Sequence, residues 1–192
     1  MIPKRIVIAG PSGAGKSQFS KRLAIILTGY IVYSLDDYYW EKNWSRLDNN
    51  EWIKLLDSFC KNESWIMDGN HLKTFNQRVS YADLVIILDY SPIVCLFRFL
   101  KRSIKRYFRL DDSLPKNILN DPSYTPKISI RWHLIKLILF YRHITKPLII
   151  ENIKKYGCKT IILKNDQDAN NFLHKINKDH KEGIKYHEKT VI

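Results

Sequence analysis

The chain has 192 residues, 45% apolar and 27% charged; this suits one folded domain with a real core and excludes disordered and collagen-like chains. Lys plus Arg is 32 against 19 for Asp plus Glu, and the net charge of +13 will attract anions, whether nucleotides, nucleic acid or acidic membrane. Three scattered cysteines (Cys60, Cys95, Cys158) fit no metal spacing, and without a secretory signal they point to reduced thiols in the cytoplasm.

The first predicted element is a β-branched strand, Lys4 to Ala9, ending in Gly10. A helix follows from Gly15, with Phe19, Leu23, Ile26 and Leu27 on one face. Tyr30 to Leu35 reads as a second strand. Asn49 to Cys60 reads as a helix with Trp52, Leu55, Leu56 and Phe59 on one stripe. Trp65 to Met67 is a short strand running into Asp68-Gly69, and Leu84 to Leu88 is apolar throughout, as in a parallel strand buried on both faces. Ser91-Pro92 opens a helix reaching about Phe108. Ile93, Phe97, Leu100, Ile104 and Phe108 form its apolar stripe. Arg98, Lys101, Arg102, Lys105 and Arg109 form a basic one, with Arg106 nearby.

Residues 111 to 127, with Pro115, Pro122 and Pro126, read as a loop or lid. Ile128 to Arg142 and Pro147 to Tyr156 read as helices. The region Ile128 to Ile150 is interrupted by Arg131, Lys136, Arg142 and Lys146, so no membrane partner is expected. Lys159 to Leu163 is a last strand, Asp166 begins a closing helix, and Lys175 to Ile192 is charged and expected to fray. The organisation expected is one domain over residues 1–174 and a tail over 175–192. An acceptor-binding insertion is expected at about 37–64 and a lid at about 105–127. Strands alternating with helices argue for an α/β fold with a parallel sheet, whose ligands bind at the carboxyl ends of the strands.

Three of the seven glycines fall within six residues, in Gly10-Pro11-Ser12-Gly13-Ala14-Gly15-Lys16-Ser17. This matches G-x-x-x-x-G-K-[ST] in full, between a strand and a helix. The glycines let backbone N–H groups turn toward phosphate oxygens, and the helix start adds its positive end. Lys16 is placed to reach the β- and γ-phosphates and Ser17 to ligate Mg²⁺. Gln18, next in the first helical turn, is counted with Gly10 to Ser17 in the cofactor-binding set. A nucleoside triphosphate, ATP foremost, is therefore the expected ligand, together with Mg²⁺.

Phosphoryl transfer also needs acids to hold the metal and to orient the acceptor. Three sites stand at strand ends: Asp36-Asp37, Asp68 and Asp89. Asp68, followed by Gly69 and Asn70, is favoured as the metal-holding acid. Asp89 is its rival, although it also sits just before a helix start. Arg98, Arg102, Arg106 and Arg109 are candidates to neutralise transferred charge, with Arg78 as a clamp on an acceptor phosphate. Tyr38, Tyr39, Trp40 and Trp44 cluster where an acceptor base or sugar would stack, and Tyr39 is counted with Asp36, Asp68, Gly69, Asn70 and Arg78 in the substrate-binding set. His71, His133 and His143 have no ligand spacing. Asn165 to Asp168 is a weaker candidate for contact with the ATP base.

The Asp36-Asp37-Tyr38-Tyr39 pattern is similar to one in uridine kinases, where the first Asp is the base, and that resemblance favours Asp36 over Asp37. Residues 5 to about 165 more widely resemble the small P-loop "topology modulation" proteins, relatives of adenylate kinase. The matching pieces are IVIAGPSGAGKS, SLD at Ser34 to Asp36, Trp40 with Trp44, WIMDGN at Trp65 to Asn70, and R-x-x-x-A-D at Arg78 to Asp83. VIILD at Val85 to Asp89 and CLFRFLKR at Cys95 to Arg102 complete the set. The resemblance implies a nucleoside-monophosphate-kinase-like fold: five parallel strands in the order 2-3-1-4-5, flanked by helices, with a helical lid. It also implies phosphotransferase or ATPase activity. His71 departs from the pattern, because an aromatic usually follows D-G-N, and the lid lacks the family's Gly and spaced Arg run.

The leading expectation is a kinase that moves the γ-phosphate of ATP to a small acceptor, a nucleotide or nucleoside foremost. Arg98 to Lys146 holds 12 basic and 3 acidic residues, a net +9. That density keeps nucleic acid open as a partner, and with it a nucleic-acid-associated ATPase or polynucleotide-end kinase. A nucleotide-sensing module without catalysis is the third alternative.

Overall fold

A computed structural model describes residues 2–111, 113–125 and 132–189. The elements run β1 (Arg5–Ala9), α1 (Lys16–Ile26), β2 (Ile31–Ser34), α2 (Leu35–Tyr39), α3 (Asn49–Cys60), β3 (Trp65–Asp68) and α4 (Phe75–Val79). Then come β4 (Leu84–Leu88), α5 (Pro92–Tyr107), α6 (Lys116–Leu119), α7 (Trp132–Leu139), α8 (Thr145–Tyr156), β5 (Lys159–Leu163) and α9 (Asp166–Lys189).

Among the described residues the strands form one five-stranded sheet in the order β2-β3-β1-β4-β5. Every pairing is parallel. This is the order that the resemblance implies. Side chains alternate across each strand, so β1 feeds two cores. Ile6 and Ile8 pack with Phe19, Leu23 and Leu173 on one face. Val7 and Ala9 pack with Trp52, Leu56 and Ile149 on the other. Burying both faces explains why β3 and β4 are apolar almost throughout.

Local chemistry sets several element ends. The Asp48 carboxylate accepts from the backbone N–H groups of Asn50 and Glu51 and so starts α3. Gly157, in the left-handed region, ends α8. α8 begins at Thr145, two residues before Pro147, and a proline in the first turn lacks only an N–H that the helix does not use.

The structure differs from the sequence reading in four places. Leu35 does not end β2; with Asp36 and Asp37 it opens the short helix α2. The 111–127 stretch carries α6 in its middle, where the backbone N–H of Lys116 donates to Asp37 Oδ1 at 3.1 Å. Most of the α5 apolar stripe is not core: Ile93, Phe97, Ile104 and Phe108 are exposed. Cys95 and Phe99, on the other side of the helix, are the residues that anchor it. The charged end is part of α9, which continues to Lys189, and Leu173 and Ile176 hold the earlier part of that helix against the sheet core. Pro126, residues 127–131 of the expected lid and following helix, and residues 190–192 lie outside the described residues.

Candidate active site

The strand ends deliver the site to one edge of the sheet. In the register Ile8 pairs with Asp68, and Asp68 pairs with Ser34. The loop after β1, the acid at the end of β3 and the helix after β2 therefore lie side by side. Asn70 ties them: its Oδ1 accepts from Gly10 N at 3.1 Å and its Nδ2 donates to Gly10 O at 2.9 Å.

The Gly10–Ser17 loop lies against the start of α5. Gly13 has φ +87°, and a Cβ built there would stand 2.1 Å from the Cys95 carbonyl oxygen. Only a residue without a side chain lets the loop pass this close. No described side chain caps α1, and its first turn holds no acid. The Lys16 ammonium donates to the carbonyls of Gly10 and Pro11 at 2.9 and 3.2 Å. Burial lowers its pKa, while Asp68 and Asp36 oppose that shift. A cradle of this form, with an uncapped helix start and a nearby ammonium, fits a polyphosphate.

Asp68 is almost fully buried, accepting from Ser17 Oγ at 3.4 Å and from Ser20 Oγ at 2.9 Å. Burial pushes its pKa up, against the pull of Lys16 and the two hydroxyls. A carboxylate desolvated beside a hydroxyl suits a hard cation that keeps most of its water or phosphate ligands. Among the described residues no cluster of three or more His, Cys, Asp or Glu forms a complete metal cage. Ser17 and Asp68 fit Mg²⁺ as two of its contacts. The rival, Asp89, is already spent: Arg142 Nε reaches its Oδ1 at 3.0 Å and Lys146 Nζ its Oδ2 at 2.8 Å. These two ion pairs fasten the residue after β4 to the turn before α8 and to the first turn of α8 itself.

Asp36 and Asp37 are separated by their partners. Asp37 holds the N-terminus of α6. Asp36 opens into the cleft with its side chain 64% exposed, and its Oδ1 lies 3.1 Å from His71 Nε2. Crowding by the surrounding protein raises its pKa, but the His71 contact and the charges of Lys16 and Arg102 outweigh that and leave it below the usual carboxylate range. The carboxylate thus stays ionised and open to an incoming hydroxyl.

The three arginines of α5 and Arg109 just past it divide. Arg102 and Arg106 turn toward the cleft, each with a buried Nε that has no partner among the described residues. Burial lowers both, Arg106 to about 10. Arg106 also donates to Ser113 O and Oγ at 2.7 and 3.0 Å. Arg109 sits past the helix end with φ +57° and lines, with Arg106, Asp111 and Tyr124, a cavity of about 320 Å³. Arg98 instead pairs with Asp166 at 2.7 Å and lies 5.3 Å from the Tyr90 ring centre.

Arg78 does not reach the cleft as the sequence suggests. It is fully buried and donates to the carbonyls of Gly69 at 2.9 Å and Asn70 at 2.5 Å, with a weaker contact to His71. Burial lowers it to about 10. The role is to hold the loop after β3. Asn165 and Asp168 are likewise engaged locally at the start of α9. Tyr39 packs against Trp40, Trp52 and His71, and Tyr38 against Tyr33 and Phe59. Gln18 is exposed on α1. Sequence spacing left His71 without chemistry. The one signal for it was its place after D-G-N, where the resemblance expects an aromatic.

Fold and site together define a small P-loop NTPase with the nucleoside-monophosphate-kinase strand order. The family model described as AAA domain (AAA_18) matches residues 6–112, more than half of the chain, and the chain belongs to that family. No curated protein matches it. Among solved structures it is similar to shikimate kinase from Acinetobacter baumannii in complex with shikimate. That match has 16% identity and TM-score 0.54, covering 92% of this chain and 91% of that one. A protein from Chloroflexus aurantiacus matches at 16% identity and TM-score 0.52, covering 93% and 98%. At such identities the likeness speaks for the fold. Among the described residues no helix is long and apolar enough to cross a membrane.

Proposed function

We propose that the chain is a phosphotransferase that moves the γ-phosphate of ATP to a small hydroxyl or phosphate acceptor, a nucleoside or nucleotide foremost. In this reading it works in the cytoplasm and belongs with the topology modulation proteins that its motifs resemble. The supporting observation is the meeting, on one sheet edge, of the Gly10–Ser17 loop, buried Asp68 and open Asp36. Residues 37–64 serve as the acceptor side, and residues from about 105 to 127 serve as the lid.

The Gly10–Ser17 backbone binds the triphosphate tail, and Lys16 exchanges the Gly10 and Pro11 carbonyls for phosphate oxygens. Mg²⁺, when bound, neutralises charge on the β- and γ-phosphates, and Ser17 and Asp68 are the residues that would hold it. Asp36 accepts the acceptor's hydroxyl proton as the new O–P bond forms and the bond to ADP breaks. Arg102 and Arg106, each with a buried Nε that has no partner among the described residues, offset the charge of the moving phosphoryl group. Arg109 extends this positive wall, and Arg98 supports it from the Asp166 side. Tyr39, Gly69 and Asn70 shape the floor, with Arg78 acting beneath them.

The test is ADP formation from Mg·ATP with nucleosides, nucleoside monophosphates and small hydroxy acids as acceptors. One class should raise turnover above the water background. Asp36→Asn should then lower that turnover by about two orders of magnitude or more while ATP still binds. The reading fails if ATP binds and no acceptor raises turnover.

A further inference from the structure

The phosphate-loop chemistry makes no demand on His71, yet the surrounding structure is shaped around it. Its Nε2 lies 3.1 Å from Asp36 Oδ1. The ring is wedged by Tyr39 and Trp52, with centroids 4.6 and 5.2 Å away. Its backbone has φ 30° and ψ 64°, a conformation that residues with side chains rarely adopt and that tends to persist only where the surroundings enforce it. Those surroundings are visible. The His71 carbonyl accepts from Thr74 N at 3.0 Å, and buried Arg78 grips the two carbonyls before it. A Cβ on Gly69 would come within 3.2 Å of His71 Cδ2, so glycine at 69 leaves the ring its space.

We infer that His71 is a positioning residue: its Nε2–H holds Asp36 Oδ1 and leaves Oδ2 for the acceptor hydroxyl. This rests on Asp36 being the proton acceptor of the proposed reaction. In the transfer step the acceptor oxygen bonds to the γ-phosphorus, the bond from phosphorus to ADP breaks, and the hydroxyl proton moves to Asp36 Oδ2. His71 keeps its own proton throughout. Lys16 on α1 and Arg102 on α5 also act on Asp36, and Asp68 on β3 lies within reach of the same Lys16.

The experiment compares wild type, His71→Phe and His71→Gln in the full-length chain. The Phe variant keeps an aromatic between Tyr39 and Trp52 but removes the donor; the Gln variant returns a donor without the ring. Carboxyl NMR titration should show the Asp36 midpoint rising in His71→Phe and moving back in His71→Gln. Mg·ATP hydrolysis, with water as acceptor, should fall about 10- to 100-fold in kcat for His71→Phe at unchanged KM for ATP, with partial recovery in His71→Gln. An Asp36 titration and a kcat in His71→Phe equal to wild type overturn the inference. A shifted Asp36 midpoint combined with wild-type hydrolysis in Asp36→Asn removes the catalytic reading of Asp36 instead, and leaves the His71–Asp36 contact as a pairing alone.

Discussion

Gly13→Ala tests whether the phosphate loop is shaped by the approach of α5. The new Cβ would stand 2.1 Å from Cys95 O and 2.9 Å from Cys95 C, both backbone atoms at the start of a helix. A separation of about 3 Å is the least that such contacts tolerate, so loop or helix must move by about 1 Å. Overpacking of that kind costs about 1–3 kcal/mol, and the left-handed backbone adds about 1–2 kcal/mol for any residue with a Cβ. The total expected is about 2–5 kcal/mol. Gly15→Ala is the internal control, since its φ is +86° and nothing lies within 4 Å of the added Cβ. It should lose only the backbone part, about 1–2 kcal/mol. Urea denaturation of the nucleotide-free protein, read by tryptophan fluorescence, measures both. Equal losses in the two variants would refute the close approach of loop and α5 as the reason for glycine at 13.

Asp68→Asn should stabilise the nucleotide-free protein by about 0.5–2 kcal/mol while removing Mg²⁺-dependent turnover, a stability gain at a functional site. The sign follows from burial: the raised pKa means that the folded state resists ionising this group, so its contribution is favourable in acid and is lost as pH rises through the folded-state value. Stability of the Asn variant should accordingly lack that loss at neutral pH, and a thermal melt across pH 4–8, roughly the carboxylate range and above, reads the difference. Asp89→Asn should behave in the opposite way. It leaves Arg142 and Lys146 short of a counter-charge and destabilises by about 1–3 kcal/mol, reduced from the fully buried case because the Arg142 side chain is 43% exposed. Its effect on Mg²⁺ dependence should be nil; a loss of Mg²⁺ dependence there would return Asp89 to the metal site.

Much of the site was legible because its chemistry is local in sequence. The Gly10–Ser17 loop announces itself within eight residues, and apolar runs ending in an acid mark the strand ends that carry Asp68 and Asp89. Such a pattern gives residue type and spacing, but two acids at two strand ends look alike. Asp68 faces Ser17 because β1 and β3 are neighbours in register, while Asp89 faces Arg142 and Lys146, more than fifty residues away in the chain. Separation in sequence, by 35 and 79 residues, also hid the partners of Asp36 and Asp37, one with His71 and the other with Lys116. Arg78 was read as a clamp on an acceptor phosphate, whereas in the structure its terminal nitrogens donate to three consecutive loop carbonyls in the core. Sequence alone determined the α/β class, the phosphate loop and the strand ends, through periodicity and backbone sterics that act over a few residues. Tertiary structure decided which acid meets the loop, which helix face is buried and what holds His71, because those depend on contacts set by sheet register and packing between distant segments.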